Sequence, residues 1–206
     1  LQYQARGGRE VDIVVPTECE GDGVPAYCDQ LIAEADELQV EYNDAFGAMI
    51  GYEMDDWYLG LAVNAGDITN SIEGGTDSDT AWVATVKYGD LSKPGFYAAL
   101  SYAQTEAHEL DNLGRVFDAK GGELMLAWMT DYNLRFVAGW NRLESSDTAY
   151  QDENGKYRNE FFVVGTHYFW GKGFMAYLEG KIDNSQFDST GTDGSNLVGL
   201  GLRYFF

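Results

Sequence analysis

Basic residues are scarce in this chain of 206 residues: 13 Lys and Arg stand against 34 Asp and Glu, for a formal charge of −21. That balance excludes a nucleic-acid partner, because neutralising phosphates needs a basic face. Only 2 His and 2 Cys are present, too few for the common zinc sites, and no cofactor or metal is expected. Runs of about 18 apolar residues are missing, which excludes a helical membrane span but no other form of membrane residence. Proline is rare, at 3 residues against 25 Gly. Hydrophobic residues at 45% and aromatics at 15% then exclude a disordered or collagen-like chain. Leu1–Arg6 holds no basic region followed by an apolar stretch. A leader is therefore expected to have been removed, or the sequence to begin partway through a longer protein.

What the chain does have is a period of two. Phe46, Ala48, Ile50, Tyr52 and Met54 alternate with Gly47, Met49, Gly51 and Glu53. The same rhythm returns from Trp57 to Val63, Trp82 to Tyr88, Phe96 to Tyr102, Leu124 to Trp128 and Leu134 to Trp140. It continues from Phe162 to Trp170, Phe174 to Leu178 and Val198 to Phe206. Successive side chains of a strand point to opposite faces, so each segment predicts a strand with one apolar face. With the short opening segment Leu1–Arg6, ten strands are expected.

Between them, short turns fall at Met54–Asp56, Gly89–Gly95, Thr130–Asn133 and Trp170–Gly173. Long acidic loops fall at Gly7–Asp44, Gly66–Thr80, Glu106–Gly121, Leu143–Asn159 and Asn184–Ser195. Long and short alternate throughout. A soluble sandwich has no reason to follow such parity, whereas a transmembrane antiparallel up-and-down β-barrel has one rim of each kind. The expected fold is therefore all-β, a transmembrane barrel.

The faces agree with it. The apolar faces carry aromatics near both ends, such as Trp57, Tyr88 and Phe96 towards the short turns and Trp82, Tyr102 and Phe162 towards the long loops. Two aromatic bands separated by aliphatic residues suit two membrane interfaces. The opposite faces mix small and charged residues, suited to a wet lumen. Alternation assigns Glu53, Tyr58, Asn64, Lys87, Tyr97, Glu123, Arg135, Asn141, His167, Tyr177, Glu179, Lys181, Asp183 and Arg203 to the pore lining.

The final segment, Leu197-Val-Gly-Leu-Gly-Leu-Arg-Tyr-Phe-Phe206, resembles the terminal strand of bacterial outer-membrane barrels. Leu1-Gln-Tyr-Gln4, Trp82-Val-Ala-Thr-Val-Lys-Tyr88 with Phe96-Tyr-Ala-Ala-Leu-Ser-Tyr102, Asn133-Leu-Arg-Phe136 and Phe161-Phe-Val-Val-Gly-Thr-His-Tyr168 resemble general porins of Gram-negative bacteria. That resemblance, carried by order and spacing over nearly the whole chain, implies a sixteen-stranded homotrimer of the outer membrane. Residues 1–206 would be its C-terminal ten strands and residues 7–44 its long fourth external loop. The inward-folding third loop would lie in a part outside this sequence. Val198, Leu200, Leu202, Tyr204 and Phe206 would be the assembly signal that the barrel-assembly machinery reads. The alternative is a complete ten-stranded barrel, since even numbers are allowed.

An enzyme is not expected. The ten-stranded outer-membrane proteases use an Asp pair and an Asp-His pair, but neither His108 nor His167 has Asp two residues before it. Outer-membrane phospholipases use a Ser-His pair, and no context suggests one. Acids are abundant, yet none is singled out as the partnered pair that acid–base catalysis needs. Cys19 and Cys28 flank a turn-prone stretch in the long loop. A disulfide there suits an oxidising compartment and would contribute about 2–3 kcal/mol. Leu31, Ile32, Ala35 and Leu38 follow at helical spacing and predict a short helix. The runs at Asp188–Gly194 and Asp152–Gly155 lack calcium-loop spacing and are expected to be solvated. Their carboxylates could meet lipopolysaccharide phosphates through divalent cations.

The expected function is a water-filled channel for passive diffusion of small hydrophilic solutes and ions. Acid excess predicts cation preference that fades as salt shortens the Debye length. The alternative is a sugar-selective pore using Tyr58, Tyr97 and Tyr177.

Overall fold

The computed structural model describes residues 2–4, 40–70, 75–111, 115–170, 173–189 and 191–204. The chain forms one antiparallel sheet: β1 (Gln2–Gln4), β2 (Val40–Met54), β3 (Trp57–Asn70), β4 (Gly75–Tyr88), β5 (Gly95–Leu110), β6 (Val116–Met129) and β7 (Leu134–Ser145) come first. A short helix α1 (Thr148–Asn154) precedes β8 (Tyr157–Trp170) and β9 (Phe174–Asp183). The small strands β10 (Gln186–Phe187) and β11 (Thr192–Asp193) form a hairpin, and β12 (Leu197–Tyr204) ends the sheet. Neighbours in sequence pair in space from β1 to β9, and β12 pairs with β9. Leaving the hairpin aside, these are ten up-and-down strands, as the period-two pattern predicts. Among the described residues β1 pairs with β2 alone and β12 with β9 alone, so the sheet is open.

The register keeps like faces together. Leu126, Ala138, Val164, Gly180 and Val198 are successive partners across β6, β7, β8, β9 and β12. One residue along, Ala127, Val137, Gly165, Glu179 and Gly199 form the next row, facing the other way. A slip of one residue would exchange the two sets, so the alternation fixes the pairing.

Two compact units emerge. The first contains Leu1–Ala48, Val63–Ala81 and Thr105–Asp118. Its side chains anchor on buried Ile68 and Phe117. The backbone N–H of Ala107, a residue at φ 49°, donates to Asp118 Oδ1 at 2.8 Å. Asp111 accepts from the Arg115 backbone at 2.9 Å and from its Nε at 2.7 Å.

The second unit contains Met49–Ala62, Trp82–Gln104 and Ala119–Phe206. One face is apolar and exposed: Leu59, Leu100, Trp128, Val164 and Leu178 are each about half exposed, and Leu200 is 83% exposed. Large exposed apolar patches mark surfaces that meet a protein partner or a membrane. The aromatic ends of that face touch. Trp57 and Tyr88 stand 5.0 Å apart, Trp170 and Phe174 stack at 5.6 Å, and Phe174 meets Tyr204 at 4.8 Å.

The loop expectations at 7–44, 66–80, 106–121 and 143–159 need correction. Residues 66–70, 75–80, 106–110 and 116–121 are strand, because β3, β4, β5 and β6 run on beyond their apolar stretches. Interstrand hydrogen bonding needs no apolar face, so polar residues continue a hairpin past the hydrophobic pattern. Val40–Asp44, assigned above to the loop 7–44, belong to β2. Within Leu143–Asn159 the chain forms α1, capped by Asp147 Oδ1, which accepts from the N–H groups of Ala149 and Tyr150 at 2.8 and 3.2 Å. The expected helix near Leu31–Leu38, the Cys19–Cys28 bridge and Phe206 lie outside the described residues.

Candidate pore lining

Thirteen of the fourteen residues assigned to the lining sit in the second unit; Asn64 sits in the first. All of those thirteen occupy strand positions opposite the apolar face.

The best-ordered group is a row at the short-turn end. Met129, Arg135, His167, Tyr177 and Gly201 are partners across five strands. His167 is buried, and its Nδ1 lies 2.8 Å from Arg135 Nη2 and 3.3 Å from Nε. A guanidinium has no acceptor, so Nδ1 must accept and Nε2 carries the hydrogen. That hydrogen goes to Glu179 Oε1 at 2.7 Å. Arg135 also donates from Nη1 to the carbonyl of Leu91 at 3.3 Å, and its guanidinium lies 4.8 Å from the Phe169 ring centre. The turn at 89–94 is thereby tied to the lining of β7. Tyr177 meets His167 edge-on at 6.3 Å.

A second row lies towards the long-loop end, where Glu123, Asn141, Phe161 and Asp183 are partners. Asn141 Nδ2 donates to Glu123 Oε1 at 2.5 Å. Lys181 Nζ pairs with Asp183 Oδ2 at 2.6 Å and lies 4.8 Å from the Phe161 ring centre. Asp183 Oδ1 also accepts from Ser185 N at 3.0 Å.

Tyr58 lies against the wall formed by β2 and β3. A Cβ added at Gly51 or Gly60 would come within 2.9 Å of the Tyr58 hydroxyl, so glycine at both positions gives the ring its bed. Lys87 Nζ sits 5.5 Å from the centre of that ring. Tyr97 is half-buried on β5, whereas Glu53 and Arg203 are exposed on β2 and β12. Tyr58, Tyr97 and Tyr177 lie on β3, β5 and β9, and nothing brings the three into a file.

Sequence reasoning missed two charge arrangements. In the first unit, His108 Nδ1 lies 2.5 Å from Oδ1 of buried Asp79. These residues are 29 positions apart, and only strand pairing brings them together. In the second unit, Lys120, Arg142, Glu144, Arg158 and Glu160 line up on the outer, apolar face. Their period of two continues from Leu124, Trp140 and Phe162, and was hidden by treating 143–159 as loop. Among the described residues no group of three or more metal-ligating side chains assembles.

No family model matches the chain, and no curated protein matches it either. Among solved structures it is similar to the outer membrane channel DcaP of Acinetobacter baumannii, with a TM-score of 0.63 at 14% identity. The likeness covers 81% of this chain and 53% of that one, so the chain spans about half the length of the channel it matches. The fold shared with that channel is all-β, antiparallel and up-and-down.

Proposed function

We propose that the protein is an outer-membrane porin, a passive channel for small hydrophilic solutes and ions. The observation that carries this is the division of adjacent residues between an exposed apolar face and a polar face. Exposed Leu126, Val164 and Leu200 share one face, while Arg135, His167 and Glu179 form a hydrogen-bonded row on the other. Such a sheet suits lipid outside and water inside. Likeness in fold to an outer-membrane channel supports the same role. The resemblance to general porins, the trimer and the terminal assembly signal belong to the same proposal. Further strands would pair with the open edges of β1 and β12, since unpaired backbone groups in hydrocarbon cost several kcal/mol each.

Selectivity follows from charge. Along the assigned lining, Glu53, Glu123, Glu179 and Asp183 are matched by Lys87, Arg135, Lys181 and Arg203. The walls are balanced, so cation preference rests on the acidic rims and is screened easily. In planar bilayers the full-length protein should give stepwise ohmic currents. A salt gradient should yield a reversal potential of cation sign that shrinks as ionic strength rises. Absence of steps from folded protein overturns the channel, and a chloride-favouring potential overturns the cation preference. The dispersed positions of Tyr58, Tyr97 and Tyr177 give the sugar-selective alternative no support.

A further inference from the structure

The outer face of the second unit carries a trough whose upper end is charged. Its lower part is a hollow of about 240 Å³ lined by Trp57, Tyr88, Phe96, Ala98, Leu100 and Leu124. Its upper part, about 410 Å³, begins at the same Leu100 and is lined by Tyr102, Gly122 and Trp140, with Lys120 and Arg142 at the rim. Small residues make it: Ala98 and Gly122 stand where neighbouring outward positions carry large side chains. From Phe96 to Tyr102 the strand rises about 20 Å. A few hundred Å³ over that length is one hydrocarbon chain wide, much narrower than the 10–12 Å of a helix.

Above the aromatic residues lies the charged group. Lys120 faces Glu144, Arg142 faces Glu160, and Glu144 faces Arg158 in the strand register. Lys120 Nζ is 3.6 Å from Glu144 Oε1, Arg142 Nη1 is 3.8 Å from Glu160 Oε1, and Arg158 Nε is 3.6 Å from Glu160 Oε2. Arg142 also pairs closely with Glu144, and Trp140 Nε1 donates to Glu160 Oε1 at 3.1 Å. Three cations meet two carboxylates, which leaves one positive charge in a chain whose total is −21. The Lys120 side chain, although paired with Glu144, is 46% exposed and within reach of a ligand. Excess positive charge just above an aromatic band, over an apolar slot, complements an anionic amphiphile.

We propose that this trough seats one phosphorylated membrane lipid, with its phosphate on Lys120 and Arg142 and an acyl chain along Leu100, Ala98 and Leu124. The site rests on the membrane-spanning reading given above, under which this face meets lipid. Glu144 competes with the phosphate for both cations, and so tunes the affinity.

Native mass spectrometry of the full-length protein in detergent tests this. The probes are phosphatidic acid, diacylglycerol with identical chains, and inorganic phosphate. Phosphatidic acid should bind one per chain, roughly tenfold tighter than diacylglycerol (about 1.4 kcal/mol), and inorganic phosphate should not displace it at equal concentration. The double variant K120Q/R142Q should fall to the diacylglycerol level. Glu144→Gln should tighten phosphatidic acid, which a purely structural role for these charges would not produce. Gly122→Leu should weaken both lipids by filling the trough. Equal binding of the two lipids, displacement by inorganic phosphate, or unchanged affinity in both charge variants overturns the proposal. So does phosphatidic acid bound to the monomer but excluded from an oligomer, since a second copy would then cover the trough. Conductance of the same preparations separates the two proposals: outer-face variants should keep it, and its absence in the parent protein counts against the channel alone.

Discussion

Arg135 and His167 meet at 2.8 Å, and the contact fixes which nitrogen of the imidazole carries the proton. Because the guanidinium only donates, His167 accepts on Nδ1 and donates to Glu179 from Nε2. One strand-to-strand row thus alternates donor and acceptor from β7 to β9. Through the carbonyl of Leu91 it also holds the turn at 89–94. The charges are neutralised in place, and the wall stays polar without a large fixed field.

Replacing His167 by Phe removes both partners at once and leaves Arg135 half-buried with a single neutral acceptor. A loss of about 1–3 kcal/mol is expected, the usual penalty for stranding a polar group. His167→Gln, which offers both an acceptor and a donor, should recover part of it. Urea unfolding in micelles or bilayers measures the difference; equal losses for the two variants would contradict the donor–acceptor row.

Met125 and Leu126 are neighbours on opposite faces of β6, which the proposed channel assigns to water and lipid. Arginine at Leu126 is expected to cost about 2–4 kcal/mol near the bilayer midplane and to impair membrane assembly. Arginine at Met125 should be accommodated with its charge in water, and should shift ion selectivity towards anions. Heat-modifiability on gels and reversal potentials check the two outcomes.

The turn at 89–94 supplies an acid-sensitive element. Asp90 Oδ1 accepts from the Ser92 hydroxyl at 2.6 Å and its N–H at 2.9 Å, and Lys93 Nζ lies 3.0 Å from Oδ2. These contacts, with the Ser92 hydroxyl first, hold the carboxyl well below its ordinary value of 3.8. A depressed value in the folded state means the stabilisation is complete above the ordinary carboxylate range. It is lost as pH falls through the folded value. Lys93 is raised by the same pair, chiefly through its hydrogen bond to Asp90, so its share persists to the alkaline side of 10.5. Hydrogen exchange in this turn should therefore be protected at pH 5, and its protection relative to the intrinsic rate should be lost only on the acid side of the ordinary carboxylate range. Asp90→Asn should remove that acid step.

Much of the fold was legible because one interaction dominates it. Phe46 to Met54 or Phe162 to Trp170 alternates so regularly that strand and face follow together. Strand ends were not legible. Beyond Val63 or Tyr102 the outward residues turn polar, and polarity reads as loop although the hairpin hydrogen bonds continue. Helix α1 escaped for a related reason: it is 7 residues long, with Tyr150 its only buried side chain, too little for a periodic signal. Face assignment brought Arg135, His167 and Glu179 to the same side, but not into hydrogen-bonding contact with one another. That depends on register between strands, which a single sequence does not encode locally. The Asp79–His108 pair was hidden in the same way.

The most direct measurement is a cysteine scan along β6 and β7, one residue at a time, in a background lacking Cys19 and Cys28. The reagent is a water-soluble maleimide that does not cross lipid, applied to protein in bilayers. Cysteine at Glu123, Met125, Arg135 and Gly139 should label, while cysteine at Leu126, Trp128, Phe136 and Ala138 should be protected. Protection on the first set with labelling on the second, or no alternation at all, would contradict the account.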